Sequence, residues 1–227
     1  MFIGHYTASF IAKGIEPRAP LGLLFIAAQF LDFIFFPLVL LNIEVLEMHQ
    51  NATASTHFML PFMPWSHSFW AMTIWSMAVF IIALWALKTT KTTAFLLALV
   101  TQSHWLFDLI VHEPDLAIWN IFSADAVSVG FGLWNHAMVA FILECGLLTG
   151  SVCFYLKRTY PTRQTGRYGP ILFLGSLILI QASMTFGPYI EMSNSAFAAT
   201  GLALFIAFTL IATHLDAYRR GGNHNEP

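Results

Sequence analysis

Residues 94 to 112 read AFLLALVTQSHWLFDLIVH, and this stretch decides the class of fold. It contains a single acidic residue, Asp108, and no Lys or Arg. A helix that crosses the hydrocarbon core of a bilayer needs about 20 predominantly apolar residues, so the stretch predicts a transmembrane helix. Its polar side chains would then lie where lipid is expected, and they need an explanation of their own.

The composition of the whole chain agrees with a membrane protein. Of 227 residues, 57% are hydrophobic and 10% are charged, and the mean hydropathy is +0.68. A soluble domain is about 45–50% apolar and about 25% charged. These values argue against a soluble enzyme, a nucleic-acid-binding protein and a disordered chain, and they predict an integral membrane protein.

Apolar runs of bilayer length recur along the chain. We expect an all-α fold with six transmembrane helices in a single integral-membrane domain, residues 1–227. The predicted spans are 21–41, 66–87, 94–112, 133–156, 170–190 and 196–217.

The basic residues predict the orientation of these spans. All ten fall before the first span, after the last, or in the connectors on that same side: Lys13, Arg18, Lys88, Lys91, Lys157, Arg158, Arg163, Arg167, Arg219 and Arg220. The connectors on the other side carry acidic residues and no Lys or Arg. By the positive-inside rule, both termini are expected in the cytoplasm of a multi-pass protein.

The first twelve residues are apolar but too short to span a bilayer. They fit either an amphipathic helix at the membrane surface or a re-entrant helix packed among the other helices. His5 lies eight residues before Lys13, about 12 Å along a helix, and Asp32 lies eleven residues after Leu21, about 16 Å. These similar depths favour a short re-entrant helix over residues 2–12, with His5 reaching the same site as Asp32.

Ionisable residues inside spans are costly and usually functional. His104, Asp108 and His112 follow one another at intervals of four, so they form one stripe on a helix where an imidazole and a carboxylate converge on one ion. Asp32 and Glu144 also lie within spans, and no span contains a Lys or Arg to neutralise them. A divalent cation would neutralise such carboxylates directly.

Other polar residues have simpler interpretations. His136 and His214 lie near helix ends and are expected to make ordinary hydrogen bonds. Asp216 is expected to pair with Arg219 or Arg220 in solvent. The loop histidines His49 and His57 are expected to be solvated, whereas His112 fits both a ligand and a boundary residue.

The order of four short motifs resembles a known family. The motifs are Gly4-His5, Gln29-x-x-Asp32, Ser66-His67-Ser68 and Ser103-His104-x-x-x-Asp108, within about the first half of the chain. In order and membrane placement they resemble the predicted membrane-bound metal-dependent hydrolases, small bacterial inner-membrane proteins whose motifs have been likened to zinc-dependent phospholipase C. The resemblance implies an inner-membrane location and a metal-binding set: His5, Asp32, His67, His104 and Asp108.

These features predict a metal-dependent hydrolase that acts on a lipid or a membrane-associated phosphoester from the extracytoplasmic side. One or two divalent ions, zinc first, would lower the pKa of a bound water towards about 7. Asp108 or Glu144 is the candidate general base, and Asn135 is the candidate for orienting a phosphoryl oxygen.

Two other classes stay open at this stage. The first is an electron-transfer subunit that ligates haem through histidines among His67, His104, His112 and His136. The second is a transporter, or an accessory subunit of a larger membrane complex, with Asp32, Asp108 and Glu144 as an ion path. Metal content and visible absorption of the purified protein separate the three classes.

Overall fold

The structure is a computed structural model that describes residues 1–119, 122–123 and 125–222. Within this part the chain forms eight α-helices. A 3-10 turn at Ile3–His5 precedes them, and a second one, Leu133–Asn135, comes before the sixth. The helices are α1 (Tyr6–Ile15), α2 (Leu21–Ala28), α3 (Phe30–Leu40), α4 (Phe69–Trp85), α5 (Lys91–Val111), α6 (Ala137–Arg158), α7 (Gln164–Phe186) and α8 (Asn194–Asp216).

Small antiparallel ribbons in the connectors depart from the expected all-α fold. They are β1 (Val45–Met48) with β2 (Phe58–Phe62), β3 (Leu116–Trp119) with β4 (Val127–Val129), and β5 (Thr159–Pro161) with β6 (Arg219–Gly221). The sequence pattern does not predict these strands because each of them has only three to five residues. The β1–β2 ribbon takes up part of the predicted polar loop and lies over one end of the helices.

Several helices are long and apolar enough to cross a membrane, in agreement with a membrane protein. Four single helices of the described residues meet this condition, α5, α6, α7 and α8. The predicted span 21–41 is broken at Gln29, where α2 and α3 meet at a bend of 53°, and it counts as a fifth span if the pair is taken together. Helix α4 has only 17 residues. Six spans therefore remain a prediction.

The amino-terminal helix packs inside the bundle. Tyr6 and Phe10 of α1 are buried against Phe25 of α2. The Tyr6 ring stacks on it with centroids 4.3 Å apart, and the Phe10 ring meets it edge to face at 5.4 Å. Met1 and His5 are also buried. These contacts fit the internal position expected for residues 2–12 rather than a surface position, although the re-entrant path in a membrane stays a prediction.

The carboxylate of Asp216 has a different partner from the one predicted. Lys13 Nζ lies 2.6 Å from Asp216 Oδ1, and the backbone N–H of Leu21 donates to Asp216 Oδ2 at 3.0 Å. Arg219 instead donates to the backbone carbonyls of Thr159 and Gly166. The prediction was wrong because Arg219 satisfies carbonyl groups near the end of α6 and in α7, which leaves Asp216 to join α1, α2 and α8.

Candidate metal centre

The five predicted metal ligands lie together between the helices, four of them buried and Asp32 partly exposed. His5, His104 and Asp108 form one group, and Asp32, His67 and His104 form a second. In each group every residue offers a ligand atom that lies within 4.8 Å of the others. The ligand set implied by the motifs is therefore one cluster in space, although its members come from the 3-10 turn, α3, α5 and the segment before α4.

The distances within the cluster match the spacing of ligands around an ion. His104 Nε2 lies 3.1 Å from Asp108 Oδ2, and His5 Nε2 lies 3.2 Å from Asp108 Oδ1. His67 Nε2 lies 3.4 Å from Asp32 Oδ1. Two ligands of a tetrahedral zinc ion with bonds of about 2.0–2.1 Å are about 3.3 Å apart. The side chains therefore already have a suitable separation for a shared cation.

The break between α2 and α3 orients His104. Helix α2 ends at Ala28, and the bend at Gln29 leaves the carbonyl oxygen of Ala28 free to accept a hydrogen bond from His104 Nδ1 at 2.7 Å. Because the carbonyl only accepts, Nδ1 carries a proton, and in the neutral imidazole the lone pair of Nε2 then faces the carboxylates. A metal-binding histidine commonly has such an acceptor on its other nitrogen.

His67 is oriented by a buried chain of hydrogen bonds that the sequence did not reveal. Ser66 Oγ donates to Glu44 Oε2 at 2.6 Å, so it accepts from His67 Nδ1 at 2.7 Å. Burial raises the pKa of Glu44, and the hydrogen bonds from Ser66 oppose this shift. By sequence Glu44 is only one acidic residue of a connector, because no spacing rule links it to His67.

The sequence allows His112 to be either a ligand or a residue at the membrane boundary, and in the structure it lies beside the cluster. Its Nδ1 is 2.9 Å from Asp115 Oδ1, and its Nε2 is 3.5 Å from Asp108 Oδ1. The carboxylates of Asp108 and Asp115 therefore flank the ring of His112, and their negative charge favours a bound cation.

Glu144 holds the amino-terminal segment against the cluster. Its Oε2 accepts hydrogen bonds from the backbone N–H groups of Phe2 at 3.0 Å and Gly4 at 3.1 Å. These bonds place His5 so that its ring stacks on that of His104, with centroids 3.7 Å apart. The amino-terminal ammonium group of Met1 donates to Asp108 Oδ1 and forms an ion pair with it. Glu144 also borders the cavity described below.

The buried imidazoles offer nitrogen atoms that need a partner. Among the described residues, His5 Nδ1 has no hydrogen-bond partner, and the Nε2 atoms of His5 and His104 lie near Asp108 oxygens without hydrogen-bond geometry. An unpaired buried polar atom costs about 1–3 kcal/mol. Three histidine donors and two carboxylates, with no Lys or Arg among them, fit a divalent cation of the zinc type.

Asn135, the predicted phosphoryl-orienting residue, lies away from this group. It is exposed and its Nδ2 donates to Glu113 Oε1. His136 and His214 are exposed as well, in agreement with their assignment as ordinary helix-end residues. His57 had been expected in solvent, but it is partly buried at the wall of the cavity, where its ring packs 5.3 Å from that of Tyr189.

A cavity of about 340 Å³ leads from the cluster into the apolar part of the bundle. Asp32, His67, His104, Asp108 and His112 border it at one end. Residues of α3, α7 and α8 and of the β1–β2 ribbon form the other walls, and they include Phe36, Leu46, Phe58, Met184, Phe197 and Phe205. Ligand-binding pockets typically have about 300–1,000 Å³, so the cavity is large enough for part of a substrate.

Comparison of the chain with protein-family models, with curated proteins and with solved structures gives no match. The likeness to membrane-bound metal-dependent hydrolases therefore stays a prediction from the motifs.

Proposed function

We propose that the protein is a membrane-embedded metal-dependent hydrolase that acts on a lipid or membrane-associated phosphoester from the extracytoplasmic side. The observation that carries this proposal is the position of the buried His and Asp cluster at one end of a largely apolar cavity. Such a site suits a substrate that has both a polar reacting group and a hydrocarbon portion.

The metal set we propose is His5, Asp32, His67, His104 and Asp108, with His112 added from the structure. Asp108 offers its two oxygens to different histidines. Oδ1 faces His5 and His112, and Oδ2 faces His104 at 3.1 Å and His67 at 3.8 Å. With this division, the residues around Asp108 would be able to hold one or two divalent ions, which would supply Lewis acidity. Zinc is the ion that this donor set fits first.

Each remaining residue then has a limited role. A bound divalent ion supplies Lewis acidity and lowers the pKa of a coordinated water. Because Asp108 belongs to the ligand set, Glu144 is the proposed general base, and it borders the cavity beside the cluster. We leave Asn135 out of the proposed catalytic set because it is exposed and does not border the cavity.

The arrangement of the imidazoles favours an ion over haem. The Nε2 atoms of His5, His67, His104 and His112 all point at carboxylate oxygens, and the fourth haem candidate, His136, is exposed outside the cluster. Bis-histidine haem ligation requires two imidazoles on opposite faces of a flat ring, which this convergence does not provide.

The test is to purify the protein in detergent without chelator and to measure bound metals by mass spectrometry, together with visible absorption. We expect about two zinc or manganese equivalents and no Soret band. Release of phosphate or of a phosphorylated head group from mixed lipid vesicles should then depend on that metal and return when it is restored after chelation.

The matched variants are His104→Ala, which removes a proposed ligand, and His214→Ala, which removes an exposed histidine from α8. The first should lose metal and hydrolysis, and the second should retain both. A Soret band, or equal metal in the two variants, would contradict the proposal. Metal without hydrolysis of any lipid phosphoester would retain the metal centre and reject the enzyme.

A further inference from the structure

A buried amide oxygen without a donor lies at the wall of the cavity. Gln181 of α7 borders the cavity and is 8% exposed. Its Nε2 atom donates to Thr185 Oγ1 at 3.2 Å, one helical turn further along α7. Its Oε1 atom has no hydrogen-bond partner among the described residues. Because a buried acceptor without a donor costs free energy, this oxygen offers a contact for a hydrogen-bond donor of a ligand.

The amide oxygen and the cluster border the same space. Gln181 lines the same cavity of about 340 Å³ as His104 and Asp108. Helix α7 also packs against the 3-10 turn Ile3–His5, which carries one of the proposed ligands. A substrate whose reacting group lies at the cluster can therefore extend a second polar group towards α7.

The cluster and the amide oxygen require different parts of a substrate. A deprotonated phosphoester has no hydrogen to donate to an amide oxygen, so its place is at the cluster, where divalent ions would balance its charge. None of the described residues that border the cavity is Lys or Arg. Gln181 Oε1 can bond only to an O–H or N–H group. The group that contacts Gln181 therefore belongs to another part of the substrate than the phosphate.

The surroundings of Gln181 favour a hydroxyl over an ammonium group as this donor. A buried charge is costly unless an opposite charge lies beside it. The carboxylates that border the cavity lie in the cluster or beside it: Asp32, Asp108 and Glu144. Away from the cluster, uncharged hydroxyl side chains border the cavity, among them Ser55, Thr185 and Thr200. An uncharged donor needs no counter-ion in these surroundings.

The other walls suit a hydrocarbon chain. Phe36 of α3 and Leu204 and Phe205 of α8 border the cavity. Met184 and Ile190 also border it, and they are 38% and 65% exposed. The cavity is thereby continuous with the surface that is expected to face lipid, so the rest of a long chain can remain in the bilayer.

We propose that the substrate is a lipid phosphoester with a free hydroxyl group beside the phosphate, and that Gln181 Oε1 selects it by accepting a hydrogen bond from this hydroxyl. The proposal rests on the proposed function, and it names the class of substrate. The hydroxyl can lie on a glycerol carbon between the hydrocarbon chain and the phosphate, or on a glycerol head group beyond the phosphate. Both sources offer the same donor to the same atom, and the test separates them.

The test compares ligands that differ only at this hydroxyl. The first has a hexadecyl ether chain on one end carbon of glycerol, a free hydroxyl on the middle carbon, and a phosphonate at the other end, so it binds without being cleaved. Its methyl ether keeps the oxygen but has no hydrogen to donate, and its deoxy form lacks the oxygen. The three compete with a copy of the first that carries a photoreactive diazirine in its chain, on zinc-loaded protein in vesicles. We expect the hydroxyl compound to compete about tenfold better than the other two.

Two variants of α7 test the assignment to Gln181. Gln181→Leu nearly keeps the size of the side chain but removes the acceptor, and it should reduce the hydroxyl preference to less than about twofold. Gln164→Leu replaces an exposed glutamine at the start of the same helix and should leave the preference unchanged. Because the preference is a ratio measured on one variant, a loss of folded protein lowers the labelling but not the ratio. Metal content should be the same in both variants.

A second pair of ligands locates the hydroxyl. Here the hexadecyl chain is attached directly to phosphorus, and the other substituent of phosphorus is a glycerol unit or a propyl unit, each joined through a methylene group so that it cannot be cleaved. A preference for the glycerol compound that Gln181→Leu removes assigns the hydroxyl to the head group. A Gln181-dependent preference in the first set alone assigns it to the carbon between the chain and the phosphate.

The outcomes separate this proposal from the hydrolase itself. Equal competition within both sets of ligands, or a hydroxyl preference that persists in Gln181→Leu, would overturn the proposal, and hydrolysis of lipid phosphoesters would then stand without it. If instead a Gln181-dependent hydroxyl preference is found while no phosphoester is hydrolysed, the binding site stands and the proposed function fails.

Discussion

Two carboxylates, the buried Asp108 in α5 and the partly exposed Asp216 in α8, have different surroundings. Asp216 contacts one cation, with Lys13 Nζ at 2.6 Å, and accepts a backbone N–H from Leu21. Asp108 is surrounded by the Nε2 atoms of four histidines at 3.1–3.8 Å. Asp108 also contacts the amino-terminal ammonium group of Met1. The cationic partner of Asp216 is one lysine side chain, whereas most partners of Asp108 are imidazoles, which are neutral when they bind metal.

This difference separates a structural ion pair from a site prepared for an ion. A short Lys–carboxylate contact neutralises both partners and joins α1 to α8 without any further component. Imidazoles whose Nδ1 atoms already have acceptors, such as His104 and His67, present bare Nε2 atoms towards a carboxylate and need a cation between them. The type and number of its partners therefore indicate which acid has a chemical task.

The largest effect is expected on bound metal when Asp108 and Asp216 are each replaced by Asn and the two variants are compared. Asp108→Asn removes the charge that the histidines surround, so bound metal should fall from stoichiometric to background. Asp216→Asn should keep its metal and lose thermal stability instead. Metal analysis and thermal unfolding of both variants check this, and retained metal in Asp108→Asn would reject the central position of Asp108.

A nearly equal loss of metal affinity is expected when His5 is replaced. This substitution tests whether the amino-terminal segment belongs to the site. His5→Ala should weaken metal binding about as much as His67→Ala, at least about 100-fold each, because each removes one ligand. Competition with a chelator of known affinity measures this loss. His136→Ala serves as the control because His136 is exposed. If His5→Ala binds metal with unchanged affinity, residues 2–12 have only a structural or surface role.

A smaller effect, confined to stability, is expected at Lys13. Lys13→Met keeps the length of the apolar stem but leaves Asp216 without its cation, and removal of one partner from a buried ion pair costs about 3–5 kcal/mol. Because Asp216 is partly exposed, we expect about 2–3 kcal/mol, measured by unfolding in denaturant. The double variant Lys13→Met with Asp216→Leu should recover part of this loss, and bound metal should stay stoichiometric in both.

The sequence could predict the stripe on α5 because His104 and Asp108 are neighbours through helix geometry alone. It could also predict the membrane class and an internal amino-terminal helix, because length and hydropathy are local properties. It could not predict the contact of Lys13 with Asp216 or of Glu44 with Ser66, since these pairs depend on packing between distant segments. The break at Gln29 was also missed because residues 21 to 41 form one apolar run without an internal Pro or Gly near the bend.

The smallest of these effects is expected at Ser66, which does not touch the metal position itself. Ser66 Oγ links Glu44 to His67 Nδ1 and so fixes the proton that leaves His67 Nε2 bare. Loss of such an orienting partner typically weakens metal binding about 10- to 100-fold, and we expect this for Ser66→Ala. Chelator competition again gives the affinity.

Ser68 provides the matched control for Ser66. Both hydroxyls are buried, but Ser68 caps α4 by accepting from the backbone N–H of Ala71 at 3.1 Å, and it donates to the carbonyl of Pro64. Ser68→Ala should cost about 1 kcal/mol of stability and leave metal affinity within about twofold. Ser66→Ala should lower metal affinity by more than its own loss of stability accounts for. If both variants lose affinity in proportion to stability, Ser66 acts through the position of α4, and the chain from Glu44 to His67 does not tune the site.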